Sequence, residues 1–550
     1  MPTAAIIGAG PVGCLTAVGL YQRGYDVTMY EIRPEEAFSN TGTDSRSINL
    51  AISTRGLTAL SSVDPILSET ILENSVPMRA RMIHSKPTTS KVGAAEEQLV
   101  EEDRVRLESQ LYSTKGQCIH SVSRNLLNRL LLDEVIKCGI KICWSHKLLR
   151  TDLGNRRKQK TTATTSSPSH SNQVELLFDN QQVKGFRSWT DLIVGCDGHH
   201  SKVRGELSRA IELDFSQHFI DNYYSELHIP VTKSGDFALD PNHLHIWPRH
   251  DFMLIALANQ DKTFTSTLFA PKKIYSKYLQ DEPALLGFFR REFPDALKLI
   301  GEERLVKDLM GRKPSPLGTI ECNPYHYQGK LIVLGDASHA MVPFYGQGLN
   351  CGLEDVRIML ALLDKHLETR RSIGQQGTEV DEEAMSTGSS TSTLSSPSWP
   401  VNHIRVDSGA VISSRRESQT NKAGEHEDQI LALLRERAFD EYSSTRHADL
   451  VAISQLAMDN FEEMSSKVVS MPYRIRKQID SILVGILPQN WWNSLYTLVT
   501  FSNIGYHEAQ QREAKQKQIL NAIGLSSFAT FSVAGVFSAY RFARNIDWIR

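Results

Sequence analysis

The stretch Ala4-Ala-Ile-Ile-Gly8-Ala-Gly10-Pro-Val-Gly13 decides the fold of this chain. Its pattern is typical of a short apolar strand, a G-x-G-x-x-G turn and the start of a helix. Glycines at these positions let the backbone approach a pyrophosphate, to which the helix N-terminus offers free N–H groups. A second predicted strand, residues 25–31, ends in Glu31, an acid placed to accept hydrogen bonds from ribose hydroxyls. The strands on both sides favour an ADP-binding βαβ unit over a plain glycine-rich turn.

Two further motifs of a strand followed by a turn lie downstream. Residues 191–204 (DLIVGCDGHHSKVR) lead an apolar strand into an Asp-Gly turn, which by itself is as typical of a structural turn as of a cofactor contact. Residues 330–355 contain a strand that delivers Asp336 to accept from a ribitol hydroxyl. The loop 343–350 then offers consecutive backbone N–H groups at a helix start, which suits a flavin ring that becomes anionic on reduction. Together the three motifs indicate a flavin site.

The composition argues against several classes of protein. The 550 residues carry 61 Lys and Arg against 63 Asp and Glu, so the net charge of −2 gives no bias toward nucleic acid. Seven cysteines without a C-x-x-C pair suit a reducing compartment. The sequences His199-His200 and His243-x-His245 lack a third ligand at usable spacing, which argues against a metal site. The apolar run 4–7 leads directly into the glycine turn, so we expect no secretory signal there.

Low-complexity segments interrupt the predicted fold. Residues 368–428 include the tract STGSSTSTLSSPSWP, whose Ser, Thr and Gly residues cannot bury enough apolar surface to offset their ordering entropy. We expect this insertion to be disordered, with a long ordered surface loop as the alternative. Two shorter insertions, near 86–103 and 155–172, are predicted to expand surface loops.

An uncharged stretch lies near the end of the sequence. Residues 519–540 contain no charged side chain and are flanked by Lys515 and Lys517 on one side and by Arg541 and Arg544 on the other. As a helix of 22 residues they would span about 33 Å, enough to cross a bilayer core of about 30 Å. Their five Ser and Thr residues leave an amphipathic helix, packed on the protein or lying on a membrane, as the alternative. We predict a transmembrane anchor that is inserted after translation.

The three motifs, in this order and spacing, resemble the GxGxxG, DG and GD motifs of the aromatic-hydroxylase class of flavin monooxygenases. Within that class the chain is similar to the kynurenine 3-monooxygenase family, and the similarity extends over nearly all of the chain outside the insertions. The matching stretches are residues 45–56, 80–84, 121–124, 244–248, 253–258, 342–350, 459–464 and 496–509.

The resemblance implies a bound FAD, with NADPH and O₂ as co-substrates, and hydroxylation of L-kynurenine to 3-hydroxy-L-kynurenine through a flavin C4a-hydroperoxide. It implies a step of tryptophan degradation and NAD biosynthesis, at the mitochondrial outer membrane with the catalytic part facing the cytosol. No catalytic side chain is expected, because the protein has only to orient the ring and exclude water. Glu31 would repel a 2′-phosphate, so we expect NADPH to dock away from the ADP site.

Substrate contacts carry over from the family by motif. Arg81 and Tyr112 match the pair that grips the substrate carboxylate, for which a planar guanidinium and a phenol are suitable donors. Asn460 and Tyr506 match a second pair of polar contacts. Three further residues match the walls of the ring pocket, although core packing would also explain them: Phe344, Tyr345 and Met464.

The resemblance also implies the residues that hold the flavin. They extend from the glycine turn to the loop after Asp336. They are Gly8, Gly10 and Gly13 at the pyrophosphate, Glu31 and Arg33 at the adenosine, Ala51, Arg124 and Leu148 along the cofactor, Asp336 at the ribitol, and Leu349 and Asn350 at the isoalloxazine.

We therefore predict an α/β fold in which two domains are interleaved. A Rossmann-like FAD-binding domain, discontinuous in sequence, has a mostly parallel sheet. An antiparallel-sheet substrate domain includes strands at 243–247, 252–258 and 263–270, and a helical C-terminal region closes the substrate pocket. The predicted boundaries are 1–85, 104–205 and 310–366 for the FAD-binding domain, 206–309 for the substrate sheet, 437–518 for the helical region and 519–540 for the anchor.

Two other functions are compatible with the sequence. A related flavin hydroxylase or epoxidase acting on a quinone-like lipid would suit a membrane tail, but it would have no use for a carboxylate clamp of Arg81 and Tyr112. A protein that kept the fold and lost turnover would instead be a non-catalytic, membrane-tethered flavin-binding module. The intact loop 343–350 argues against that second alternative, although fold alone does not prove function.

Overall fold

The computed structural model describes residues 1–39, 49–86, 105–113, 116–154, 173–180, 184–382, 414–487 and 491–523. The strands are β1 Thr3–Ile7, β2 Asp26–Tyr30, β3 Leu50–Ile52, β4 Val76–Met78, β5 Ala80–His84, β6 Leu107–Leu111, β7 Ile119–Val122, β8 Lys141–Cys143, β9 Lys147–Asp152, β10 Val174–Asp179, β11 Lys184–Thr190, β12 Leu192–Gly195, β13 Asp214–Ile229, β14 His243–Arg249, β15 Phe252–Ala258, β16 Phe264–Pro271, β17 Ser315–Asn323, β18 His326–Tyr327 and β19 Leu331–Val333.

The helices are α1 Pro11–Tyr21, α2 Glu36–Ser39, α3 Thr54–Val63, α4 Pro65–Glu73, α5 Arg124–Lys137, α6 Lys202–Ala210, α7 Lys272–Tyr278, α8 Glu282–Glu292, α9 Pro294–Ile300, α10 Glu302–Met310, α11 Asp336–His339, α12 Gly348–Glu382, α13 Ser414–Ser465, α14 Met471–Ile486, α15 Leu495–Thr500 and α16 at 506–523. Short 3₁₀ helices cover Pro343–Tyr345 and Lys467–Val469.

The strand that opens the chain lies inside a six-stranded sheet with the order β18-β19-β12-β1-β2-β8. All neighbouring pairs are parallel except β18 with β19. Ile6, Ile193 and Leu331 are fully buried, because parallel strands with both faces covered are continuous apolar runs. Since β1, β12 and β19 are parallel, the three predicted motifs follow their carboxyl ends at one edge of the sheet, where ligands of open α/β sheets bind. The sheet confirms the predicted α/β fold with a mostly parallel sheet.

The second large sheet has seven strands in the order β17-β13-β16-β15-β14-β5-β6. The predicted strands of the substrate domain are present as β14, β15 and β16, and all pairs are antiparallel except β14 with β5. The sheet extends beyond the predicted range 206–309, because β5, β6 and β17 come from segments that the sequence analysis assigned to the FAD-binding domain. Pairing between strands so distant in sequence depends on tertiary contacts, which local periodicity does not reveal. The parallel pairing with β14 brings Arg81 onto this sheet.

Two smaller three-stranded sheets, β11-β10-β9 and β3-β7-β4, complete the strands. Helices α13 to α16 form the predicted helical C-terminal region, and Phe439, Tyr442 and Ile453 of α13 are fully buried against the rest of the fold.

The predicted insertion at 368–428 is partly helical. Residues 368–382 extend α12, and residues 414–428 form the first turns of α13, while 383–413 lie outside the described residues. Both helical flanks are rich in Glu, Gln, Arg and Lys, which have high helix propensity. The Ser/Thr-rich tract covers only the central part of the insertion, so its composition does not describe the two flanks.

Three predicted segments fall wholly or mostly outside the described residues. They are the insertion near 86–103, the insertion 155–172 and the anchor 519–540, of which only 519–523 are described, as the end of α16. Within the part of the chain that the structure describes, no helix combines the length and the apolar character needed to cross a bilayer.

Candidate active site

A cavity of about 890 Å³ extends from the β1–α1 turn to helices α13 and α15. It joins the carboxyl edge of the parallel sheet to the face of β5, β14, β15 and β16. Most of the residues predicted from the sequence line it: Gly8, Gly10, Glu31, Arg33, Ala51, Arg81, Arg124, Leu148, Asp336, Phe344, Tyr345, Leu349, Asn460 and Met464. Four predicted site residues do not line it: Gly13, Tyr112, Asn350 and Tyr506.

The glycine turn forms the nucleotide end of the cavity. Gly8 has φ of +104°, and a Cβ there would lie 2.5 Å from the carbonyl oxygen of Cys196. Gly10 precedes α1 without a side-chain cap, and Gly10, Pro11 and Val12 line the cavity. The N–H groups of an uncapped helix start are available to a ligand. Gly13 lies behind the turn, where a Cβ would be 2.0 Å from the oxygen of Gly8. Its role is close helix–turn packing, and the open turn in front of it fits a pyrophosphate.

Glu31 is buried at the end of β2 and remains ionised. Its carboxylate accepts hydrogen bonds from the Ala9 N–H at 2.8 Å and from the Arg33 N–H and Nε at 3.0 and 2.8 Å. Burial raises the pKa of this carboxyl, but the hydrogen bonds from Arg33 and Ala9 outweigh that effect and lower it overall. A buried anion here can accept hydrogen bonds from ribose hydroxyls, and it disfavours a ribose that carries a 2′-phosphate.

The Asp-Gly motif after β12 is a helix cap at the wall of the cavity. The Asp197 carboxylate accepts hydrogen bonds from the Ser201 hydroxyl and from the Lys202 and Val203 N–H groups at the start of α6. The capping role accounts for the aspartate, and Asp197 and Gly198 still line the cavity. Asp336 follows the neighbouring parallel strand β19, at the start of α11, and is an exposed residue that lines the same cavity.

The loop before α12 is fastened by Asn350 from behind. The Asn350 side chain accepts the Ser53 N–H at 2.9 Å and donates to the carbonyls of Ala51 and Gly346 at 2.8 Å each. The side chain of Asn350 thus holds the loop that lines the cavity, and the contact of Asn350 with the flavin ring stays a prediction. The first residues of α12, including Leu349, face the cavity with a positive helix N-terminus. This arrangement fits a ring that gains negative charge.

The far end of the cavity holds a buried arginine that is paired with a half-buried glutamate. Arg81 Nη1 is 2.9 Å from Glu463 Oε1, to which the Tyr473 hydroxyl also donates at 2.9 Å. Arg81 Nε and the Tyr112 hydroxyl make no hydrogen bond of good geometry with the described residues. Arg81 lines the cavity, where an incoming carboxylate would satisfy its unpaired Nε. Sequence reasoning missed Glu463 and Tyr473.

Aromatic rings stack beside this arginine. Tyr112 stacks on Tyr496 with ring centres 5.0 Å apart, and Tyr496 stacks on Tyr345 at 5.9 Å. The Arg81 guanidinium lies 4.7 Å from the centre of the Tyr496 ring. Tyr496 lines the cavity, whereas Tyr112 forms a second layer behind it. Tyr112 therefore packs behind Tyr496, the ring next to Arg81, and does not face the cavity.

Tyr506, which the sequence predicts as a substrate contact, does not line the cavity, and its substrate contact stays a prediction. Its ring is fully buried beneath the Arg55 guanidinium at 3.9 Å, and its hydroxyl donates to Gln347 Oε1 at 3.2 Å. Tyr496, ten residues earlier in the same matching stretch, occupies the cavity wall instead. Both tyrosines stand in one short motif of aromatic and polar residues, so local sequence does not distinguish which of them lines the cavity.

Asn460 joins α13 to the loop before α12. Its side-chain amide donates to the Phe344 carbonyl at 2.7 Å and contacts Met464 Sδ at 3.2 Å. The Phe344 ring packs between Phe461 and Phe269. Asn460, Met464 and Phe344 together form an apolar wall with one polar edge, which suits an aromatic ring bearing a hydrogen-bonding substituent.

Lys477 of α14 is a further basic group near Arg81. Its Nζ donates to Gln110 Oε1 at 3.2 Å. Burial disfavours the ammonium, Arg81 adds repulsion, and together they lower the pKa of Lys477 to about 8. No sequence signal marked this lysine, because its side chain approaches β5 and β6 only through the tertiary packing of α14.

A buried charge cluster lies behind the flavin end. His339, Cys351 and Asp355 could offer metal ligands within 4.8 Å of one another. Arg446 already supplies positive charge there, with Nε 3.0 Å from Asp355 Oδ1 and Nη2 3.3 Å from Cys351 Sγ. Burial raises the pKa of Asp355, but His339 and Arg446 outweigh it and hold the value at about 2. These contacts between Arg446 of α13 and the residues of α12 stabilise the packing of the two helices, which explains the cluster without a metal ion.

Known proteins match the chain over most of its length. The family described as FAD binding domain matches residues 1–374. The kynurenine 3-monooxygenase of Candida albicans is 37% identical, covering 97% of this chain and 96% of its own length. The enzyme of the same name from Saccharomyces cerevisiae is 36% identical, covering 96% of both chains, and that from Caenorhabditis elegans is 34% identical, covering 97% of both.

Proposed function

This chain belongs to the kynurenine 3-monooxygenase family of flavin-dependent hydroxylases, and on that premise we propose that the cavity orients L-kynurenine for hydroxylation to 3-hydroxy-L-kynurenine with FAD, NADPH and O₂. When bound, the flavin supplies the electron transfer from NADPH and the activation of O₂. The chain's own residues bind the substrate, position its ring and keep water away from the reacting atoms.

The observation that carries this proposal is the Arg81–Glu463 pair at the end of the cavity. An α-amino acid has a carboxylate and an ammonium next to each other, and this pair offers one partner for each. The substrate carboxylate would accept a hydrogen bond from the unpaired Nε of Arg81, beside the ring of Tyr496. The substrate ammonium would bind Glu463. The anthraniloyl ring would then lie along Phe344 and Met464 toward the loop before α12.

The same pair disfavours a quinone-like lipid as substrate. An apolar ligand would remove water from Arg81 and Glu463 without offering them a charged partner, which costs free energy. The non-catalytic module is disfavoured by the intact flavin end, from Glu31 to the start of α12.

A comparison of two ligands tests the proposal. L-Kynurenine should accelerate NADPH oxidation by the FAD-loaded protein, whereas kynuramine, which lacks the carboxylate, should bind about 100-fold more weakly. Titration of the flavin absorbance with each ligand measures both affinities. Equal affinity for the two ligands would contradict recognition by Arg81.

The two tyrosines of the 496–509 stretch should respond differently to loss of the hydroxyl. Tyr496→Phe is expected to raise the KM for L-kynurenine about tenfold, because the hydroxyl borders the carboxylate end of the pocket. Tyr506→Phe should leave KM unchanged and lower stability by about 1 kcal/mol, since it loses the hydrogen bond to Gln347. Steady-state kinetics and thermal unfolding of the two variants measure these effects. A raised KM in Tyr506→Phe alone would show that Tyr506, and not Tyr496, contacts the substrate.

Lys477 predicts a pH dependence of substrate binding. Because its folded pKa of about 8 lies below the usual value for lysine, the ammonium is present below pH 8 and is lost as the pH rises through that value. We expect KM for L-kynurenine to rise about two- to fivefold over that interval, as one cation near Arg81 is removed. Lys477→Gln should remove this inflection, and the exposed Lys515→Gln should retain it. An unchanged inflection in Lys477→Gln would reject the assignment.

The uncharged tail is the proposed membrane anchor, in the mitochondrial outer membrane with the catalytic part in the cytosol, as the family resemblance implies. Its support is the length of 519–540 and the basic residues of α16 that precede it. The full chain should resist extraction from membranes by alkaline carbonate, and a chain ending at residue 518 should be extracted with its flavin bound. Carbonate-resistant binding of the shortened chain would contradict the anchor.

A further inference from the structure

Helix α14 has two different faces, and its inner face closes the amino-acid end of the substrate pocket. The Tyr473 hydroxyl donates to Glu463, the partner of Arg81. Lys477 one turn later donates to Gln110 on β6. Arg476 and Asp480 of the same helix form an ion pair, with Arg476 Nε 3.0 Å from Asp480 Oδ2. The polar face of α14 is therefore occupied by contacts within the protein.

The outer face of α14 is an exposed apolar stripe. Met471, Ile475, Ile482 and Ile486 are each between 51% and 75% exposed. They follow one another at steps of four, seven and four residues, so on an α-helix they lie within an arc of about 60°. Trp491, after the helix, is 75% exposed. We call these five residues the α14 stripe.

A stripe of this kind needs a partner. Single apolar side chains are common on protein surfaces, but an aligned row of long ones on one helix face marks an interaction surface. Within the part of the chain that the structure describes, each of these five side chains keeps half or more of its surface exposed. The described contacts of α14 therefore do not supply that partner.

The position of α16 indicates which partner fits. Arg476 of α14 is 3.4 Å from Glu513 of α16, so the two helices are in contact. Ile519 and Ile523, at the end of the described part of α16, are also exposed. The sequence then runs without a charge to residue 540. The α14 stripe therefore lies on a helix that contacts the helix from which the proposed anchor begins.

We propose that the α14 stripe lies in the interfacial region of the bilayer that holds the tail, so that the protein contacts the membrane at two places. This inference rests on the anchor proposed above. An amphipathic helix whose outer face carries long apolar residues lies along the boundary between headgroups and acyl chains. A tryptophan at its end suits the same depth, and Lys515 and Lys517 of α16 would meet anionic headgroups. The amino-acid end of the pocket then lies directly beneath the membrane surface.

The test uses the full chain reconstituted into vesicles of phosphatidylcholine and phosphatidylserine. The fluorescence of Trp491 is obtained as the difference between the natural chain and Trp491→Phe, and lipids brominated near the headgroup serve as quencher. We expect the Trp491 component to fall about twofold with brominated lipid. The double substitution Ile482→Glu with Ile486→Glu should abolish this quenching. Ile136→Glu, at a residue of α5 that is 60% exposed, is the matched control and should retain it.

Carbonate extraction, run on the same samples, separates this inference from the anchor. Quenching of Trp491 in a chain that carbonate extracts would support the stripe contact and reject the anchor. A carbonate-resistant chain whose Trp491 is not quenched would support the anchor and overturn the stripe contact. A dimer in detergent that the double substitution dissociates, without quenching by brominated lipid, would assign the stripe to a second copy and also overturn the proposal.

Discussion

Replacement of Arg81 by alanine is expected to lower kcat/KM for L-kynurenine by about 10²- to 10³-fold, mainly through KM, while FAD stays bound. The Arg81 guanidinium is buried at the end of the cavity, and its removal deprives the substrate carboxylate of the planar, charged donor that lines the pocket. It also leaves Glu463 as an uncompensated negative charge that repels the carboxylate. Steady-state kinetics and the flavin absorbance of the purified variant measure the two parts of this expectation.

Two substitutions serve as controls for Arg81→Ala. Arg79→Ala removes an exposed arginine two residues earlier in the chain and should leave KM unchanged. Arg81→Lys keeps the charge but loses the planar fork, so its KM should fall between those of the natural chain and Arg81→Ala. Loss of flavin in Arg81→Ala, or an unchanged KM, would contradict the carboxylate clamp.

Replacement of Gly13 by alanine is expected to prevent FAD binding and to destabilise the fold by about 3 kcal/mol or more. The new Cβ would lie 2.0 Å from the backbone oxygen of Gly8, and neither backbone segment can move without displacing α1 from the parallel sheet. The ratio of flavin to protein absorbance and the thermal unfolding midpoint measure the effect.

Two other glycines separate packing from cofactor contact. Gly10→Ala meets no protein atom within 4 Å but faces the cavity, so it should fold normally and bind FAD more weakly. Gly287→Ala, in α8, also meets no atom within 4 Å and should change neither property. A stable, flavin-bound Gly13→Ala protein would show that the turn is not built as described.

The flavin end of the site could be predicted because its determinants are local in sequence. Gly8, Gly10 and Glu31 belong to one βαβ unit, and the apolar runs before each motif identify buried parallel strands. Parallel strands then bring the three motifs to one edge of a sheet. The hydrogen bonds of the Asn350 side chain to the backbone could not be predicted, because a side chain in such a loop can face either the ligand or the backbone behind it, and the sequence is the same in both cases.

The substrate end was less predictable because it is assembled from distant segments. Arg81 reaches it only through the pairing of β5 with β14, and Glu463 and Lys477 reach it from helices whose packing has no local signature. The choice between Tyr496 and Tyr506 depends on which side of α15 and α16 faces the cavity. Both ends of the 368–428 insertion are helical, because their charged residues have high helix propensity. The low-complexity composition of the central tract did not reveal this.

The most direct test of the account is an activity measurement on the full-length, FAD-loaded protein. NADPH oxidation is followed with and without L-kynurenine, and 3-hydroxykynurenine and H₂O₂ are quantified in the same samples. We predict that L-kynurenine stimulates NADPH oxidation and that 3-hydroxykynurenine forms in a stoichiometric amount with little H₂O₂. A flavin-bound protein that L-kynurenine does not stimulate, or whose stimulated oxidation yields H₂O₂ without hydroxylated product, would contradict the account.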